Sequence, residues 1–157
     1  IENVYLVSAL VQNYTTGSGP TGGLVAINEG GVIRNSIVQV DNVIGRDSVG
    51  GIAGQSMTTG ATAVVAEISY TEFSGAISGN SLVGGAVGDS TSSLLLNVNV
   101  ESVISANTFL GLLVGNSYGS PAYGVILYQN CNAKYQTGLN LFGPVTGVVL
   151  DNNQIVF

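Results

Sequence analysis

The sequence predicts an all-β fold, a right-handed parallel β-helix (β-solenoid) of about five coils with one Gly-x-x-x-Gly brace per coil. Three observations lead there. The brace recurs along almost the whole chain, the stretches between braces interleave apolar and polar residues over strand-like lengths, and no segment carries a sustained helical stripe. The first glycines of the braces, Gly22, Gly50, Gly84, Gly111 and Gly143, follow one another at 28, 34, 27 and 32 residues, the period range of solenoids.

The braces span 22–26, 50–54, 84–88, 111–115 and 143–147 and close on Gly54, Gly88, Gly115 and Gly147, with Ala26 in the first copy. Paired glycines allow a positive φ or a close approach of backbones, so Gly84 and Gly88 are expected to supply bends around an interior filled by Ala86 or Val87. A β-branched residue at such a position is expected to cost about one to three kcal/mol. Between braces, Ile33 to Val40, Ala66 to Phe73, Leu94 to Val103 and Val125 to Tyr128 read as strands, and a coil of this length has room for three. Met57 to Thr62, Asp89 to Ser93 and Ser117 to Ala122 differ in length and are rich in Ser, Thr and Gly, which marks the insertion side. Lining up Ile1-Glu2, Ile33-Arg34, Ala66-Glu67, Leu96-Asn97, Leu127-Tyr128 and Leu150-Asp151 gives an aliphatic column inside and a polar column outside. Glu2, Arg34 and Glu67 then stack as alternating charges.

No shift of composition divides the 157 residues, so 1–157 reads as a single solenoid unit, and both termini look mid-repeat, as in a fragment or processed product of something longer. Only 8% of residues are charged, 45% are hydrophobic and 23 are glycine, so little charge repulsion keeps copies apart. A net charge of −6 without any Lys or Arg cluster excludes a phosphate-neutralising surface, and hence nucleic acid as partner. No apolar run is long enough to insert in a membrane as a helix. With no His and one cysteine, Cys131, there is no disulfide framework and no zinc or Cys-His site, and Cys131 reads as a buried, inert thiol.

Thr21 to Val40 carries a further signal. Its Gly22-Gly23-Leu24-Val25-Ala26 brace, followed by Asn28, Gly30-Gly31 and Ile33-Arg34-Asn35-Ser36, resembles the GLUG repeat family, in which a brace precedes Asn, Gly-Gly and then Ile-any-Asn-Ser. Val49 to Ser56 and Val83 to Ser90 match the brace but not the whole repeat. The resemblance implies an extracellular β-solenoid of adhesin-like surface or secreted proteins, with no catalytic residues to carry over.

The nine carboxylates form no catalytic pair: Glu67 and Glu72, five apart, read as opposite faces of one strand, and Arg34, Arg46 and Lys134 are scattered over three coils. Tandem Gly-Gly-any-Gly-any-Asp runs for calcium are lacking, so Asp47 and Asp89 read as turn caps and neither metal nor cofactor is expected. Asn13-Tyr14-Thr15 fits an N-glycosylation acceptor. Tyr118, Tyr123, Tyr128 and Tyr135 crowd into one coil and form the candidate ligand surface, because an aromatic face stacks on a sugar and its hydroxyl supplies a polar handle. The expected function is thus a non-catalytic structural or adhesive module of an extracellular surface protein, stalk or filament, assembling with copies or neighbouring domains through its ends or low-charge faces. The alternative is a carbohydrate-binding or carbohydrate-cleaving β-helix that meets surface glycans. An ice-binding face is weaker, since regularly repeated Thr is missing.

Overall fold

A computed structural model describes all residues except 14–16, 18, 60–63, 120–125, 135–139, 141, 147 and 157. Among the described residues the regular structure is entirely β, in four parallel sheets visited in turn. The first sheet stacks β1 (Tyr5–Gln12), β5 (Ile37–Ile44), β9 (Glu72–Ser78), β13 (Asn99–Ser105), β17 (Asn132–Lys134) and β20 (Gln154–Val156). The second contains β2 (Thr21–Gly22), β6 (Asp47–Gly50), β10 (Ser81–Gly84) and β14 (Thr108–Gly111). In the third are β3 (Val25–Glu29), β7 (Ala53–Met57), β11 (Val87–Thr91), β15 (Val114–Tyr118) and β18 (Val145–Thr146). The fourth holds β4 (Val32–Arg34), β8 (Glu67–Ser69), β12 (Leu94–Leu96), β16 (Ile126–Gln129) and β19 (Val148–Asp151). The chain is a parallel β-solenoid, with four strands per coil rather than three because each brace is broken into two short strands.

The break lies inside the brace. In the second coil β6 ends at Gly50, the chain bends at Gly51 and Ile52, and β7 starts at Ala53. At the exit from the bend, the N–H groups of Ile52 and Ala53 both donate to the Ala86 carbonyl of the next coil, at 2.9 and 3.1 Å, and those of Ala86 and Val87 repeat this on Leu113. Gly22, Gly50, Gly54, Gly84, Gly88, Gly111 and Gly115 are therefore strand residues beside the bend, which Gly23, Gly51 and Gly85 enter, and none of the described brace glycines has a positive φ. What they permit is backbone contact. A Cβ on Gly22 would lie 2.6 Å from the nitrogen of Gly54, one on Gly50 2.8 Å from that of Gly88, and one on Gly84 2.6 Å from that of Gly115. On Gly111 it would meet the nitrogen of Gly143 at 2.5 Å. The first glycine of one coil thus nests against a glycine of the following coil, a seam along the axis where a side chain has no room.

A second corner separates the fourth sheet from the first. Asn3, Asn35, Tyr70, Asn97, Asn130 and Asn152 occupy it, all with φ between 48° and 56°. Asparagine tolerates this left-handed region better than most residues. The ladder is unbroken there: Asn35, Tyr70, Asn97 and Asn130 each donate their backbone N–H to a carbonyl of the next coil. The residue after the corner turns inward, and Ser36, Thr71 and Cys131 each donate to the carbonyl two residues earlier.

One cluster of buried side chains runs through the coils. Ile33, Ile68, Leu95 and Tyr128 stack in the fourth sheet, and Val38, Phe73, Val100 and Ala133 in the first. Phe73 is set in a slot, since a Cβ on Gly51 would lie 2.4 Å from its ring and Gly75 borders the ring tip. Burying that ring contributes about 2–3 kcal/mol.

The observed register corrects the expected charge column. Arg34 pairs with Glu2 but is opposite Ser69, so Glu67 stands one outward position away, opposite Val32. Arg34 holds Glu2 through Nε and Nη2, each at 3.1 Å, and this hydrogen bond raises its pKa. Glu67 and Glu72 are not on one strand either: the corner at Tyr70 puts them on β8 and β9, in different sheets. Links vary in length at the corner between the third and fourth sheets. Gly30–Gly31 and Ser92–Ser93 are tight links there, whereas residues 58–66 and 119–125 are long ones, so long and short alternate from coil to coil. Asp89 to Thr91, expected in this variable region, belongs to β11. A further long link, residues 13–20, joins β1 to β2, where the next three coils have two residues each.

Candidate functional site

The first sheet is the broadest face, and parallel pairing arranges its outward side chains in rows along the solenoid axis. One row is Tyr5, Ile37, Glu72, Asn99, Asn132 and Gln154; the next contains Val7, Gln39, Ser74 and Glu101, with Lys134 beyond. Between these rows, from Ile37 to Asn132, runs an open groove of about 370 Å³. A second depression continues it past Gly75 and Ser102 to Val103. Gly75 takes φ of 146° opposite an irregularity in β5 between Gln39 and Asn42, and a Cβ there would collide with the Val40 carbonyl, so the sheet surface falls away at this point.

The groove's polar groups are held by their neighbours. Asn132 Nδ2 donates to Asn99 Oδ1 at 3.1 Å, and Lys134 Nζ is 2.5 Å from Glu101 Oε1. At the upper rim the Tyr5 hydroxyl donates to Gln39 Oε1 at 2.8 Å, which ties down a ring that is 65% exposed. Val7 and Ile37 are exposed beside it, and Leu10 is exposed further along β1. Along the two rows, Tyr5, Val7 and Ile37 thus make the upper end apolar and aromatic, and Glu72, Asn99, Glu101 and Asn132 make the lower end amide and carboxylate. Among the described residues, no group of three or more His, Cys, Asp or Glu could hold a metal ion.

Of the tyrosines expected to form a ligand surface, the two that are described, Tyr118 and Tyr128, do not share one. Tyr118 is exposed on the third sheet, whereas Tyr128 is completely buried, its ring stacked 5.5 Å from that of Phe142 and its hydroxyl donating to Ser117 Oγ at 3.1 Å. Burial pushes the Tyr128 phenol up to about 12. Tyr128 thus presents no face to a ligand, while Tyr123 and Tyr135, with Gly147 of the last brace, lie outside the described residues. Asn13 is half buried; its side-chain nitrogen donates to the Gly19 carbonyl at 3.4 Å, and Tyr14 and Thr15 of the acceptor triplet lie outside the described residues. Cys131 is buried, and its thiol is pushed up to about 11 by burial.

The groove was not foreseen from the sequence. Its residues come from four coils, and only register makes Asn99 a neighbour of Asn132, or Glu101 of Lys134. The fold and the groove define the class of molecule, a parallel β-solenoid with an open polar groove on its broadest sheet. No family model, no curated protein and no solved structure matches the chain.

Proposed function

We propose that this chain is a non-catalytic structural and adhesive module of an extracellular stalk, filament or surface protein, which associates through its solenoid ends. The observation that carries this reading is the state of the first coil. β1, β3 and β4 are the terminal strands of their sheets, and Leu6, Val11, Leu24 and Val25 beside them are only partly buried against the core. Strand edges over a half-covered apolar interior are a template for another coil, of a second copy or of a neighbouring domain of a longer chain. The low charge of the chain leaves little repulsion to oppose stacking.

Multi-angle light scattering over a concentration series tests it. Concentration-dependent oligomers are expected, and Leu24→Glu, which sets a charge on the open end, is expected to return them to monomer. A wild-type chain that stays strictly monomeric at high concentration, with stable ends, would sink the proposal.

A further inference from the structure

We infer that the groove on the first sheet is a binding site for a neutral carbohydrate chain lying along the solenoid axis. This goes beyond the structural reading and does not depend on assembly at the ends. Four features of the face support it. The first is the exposed ring of Tyr5, anchored through its hydroxyl on Gln39, which offers a flat apolar surface at the rim where the C–H face of a sugar can stack. The second is the floor: β5, β9 and β13 are interior strands, hydrogen-bonded on both sides, so the groove presents side chains rather than free backbone groups. A peptide strand gains its affinity from a free sheet edge and finds none there; a chain read through its hydroxyls needs none.

The third feature is periodicity. Asn99 and Asn132 occupy equivalent places on successive coils, which stack at about 4.8 Å. That spacing is close to the advance per residue of an extended hexose chain, so consecutive sugars would meet equivalent amides. Each amide still has hydrogen-bonding capacity beyond the one bond that joins the pair. The fourth is charge. Glu72 and Glu101 line the groove with a single ammonium, Lys134, already on Glu101, and this excess of carboxylate disfavours uronate, sialate and phosphate polymers.

Native affinity electrophoresis through gels cast with β-glucan, xylan or galactomannan tests this, with polygalacturonate as the charged counterpart, followed by calorimetric titration with a hexasaccharide of the retarding polymer. At least one neutral polymer should retard the protein and polygalacturonate should not. Tyr5→Ala and Asn132→Ala should each weaken the hexasaccharide about tenfold, whereas Tyr5→Phe, which keeps the ring, should bind nearly as wild type. Tyr118→Ala, on the third sheet, should change nothing. Urea midpoints confirm that each variant is folded. No retardation by any neutral polymer overturns the inference, as do unchanged affinities in Tyr5→Ala and Asn132→Ala, stronger retardation by polygalacturonate, or binding lost with Tyr118. Light scattering without sugar reads assembly separately, so failure of one proposal leaves the other standing.

Discussion

Replacing Gly50 with alanine puts a methyl carbon 2.0 Å from the Ala53 carbonyl oxygen, 2.8 Å from the Ala86 oxygen and 2.8 Å from the Gly88 nitrogen. Carbon and oxygen sit comfortably at about 3.3–3.6 Å, so the bend must move by roughly 1 Å or more. All three obstacles are backbone atoms in the ladder, and no flexible side chain is available to yield. A shift of that size breaks the pair of bonds from Ile52 and Ala53 to the Ala86 carbonyl. At about 1 kcal/mol each, with about 1–3 kcal/mol of overpacking, the loss is about 3–5 kcal/mol. Two other glycines calibrate it. Gly30, with φ of 61° and a hypothetical Cβ 3.2 Å from the Val64 carbonyl, should cost about 1–2 kcal/mol as alanine, and Gly17, with nothing within 4 Å, less than about 0.5. Equilibrium urea unfolding followed by far-ultraviolet circular dichroism ranks the three. If Gly50→Ala falls within about 1 kcal/mol of Gly17→Ala, the seam is not a backbone contact and the reasoning fails.

Tyr70 is the one residue of the left-handed corner that is not asparagine, and its side chain is exposed, so Tyr70→Asn should raise stability by about 0.5–1 kcal/mol. An unchanged or lower urea midpoint would show that its backbone is not strained. Alkaline stability should follow the two buried acids. Cys131 and Tyr128 stay protonated in the fold up to about 11 and about 12, whereas the unfolded chain releases those protons near the ordinary values of 9.0 and 10.0. Since the unfolded state then binds fewer protons, stability is level below pH 9 and falls from about pH 9 to pH 12, by up to about 1.4 kcal/mol per pH unit for each group. Cys131→Ser, which fits a column already holding Ser36 and Thr71, should fold normally and delay the onset of that fall by about one pH unit; an unshifted onset refutes the assignment.

The solenoid was legible because a repeated coil repeats its constraints, and the glycines that have no room for a Cβ recur at the coil period. Register was not, for two local reasons. Leu94, Leu95 and Leu96 give no alternation from which to tell inside from outside, and the long link at 58–66 upsets counting from the brace to the next strand. Tyr128 was assigned outside by its hydroxyl, although Ser117 satisfies that group in the interior. The asparagines at 35, 97, 130 and 152 mark the corner and would have set the register correctly, because the left-handed backbone selects them. Closeness along the chain also misled. Tyr118 and Tyr128 are ten positions apart but one faces solvent and the other the core, while Tyr5 and Gln39 meet across coils.

The alternation of long and short links at the corner between the third and fourth sheets has a consequence for change over time. Links on adjacent coils would emerge about 4.8 Å apart and collide, whereas a tight turn between two long ones gives each about 10 Å of width. Thr58 and Ala66, the ends of the link at 58–66, are buried and hydrogen-bonded into the coils, so lengthening of that link is expected to be tolerated only between them. A molecule built this way separates what it displays from what it needs in order to fold.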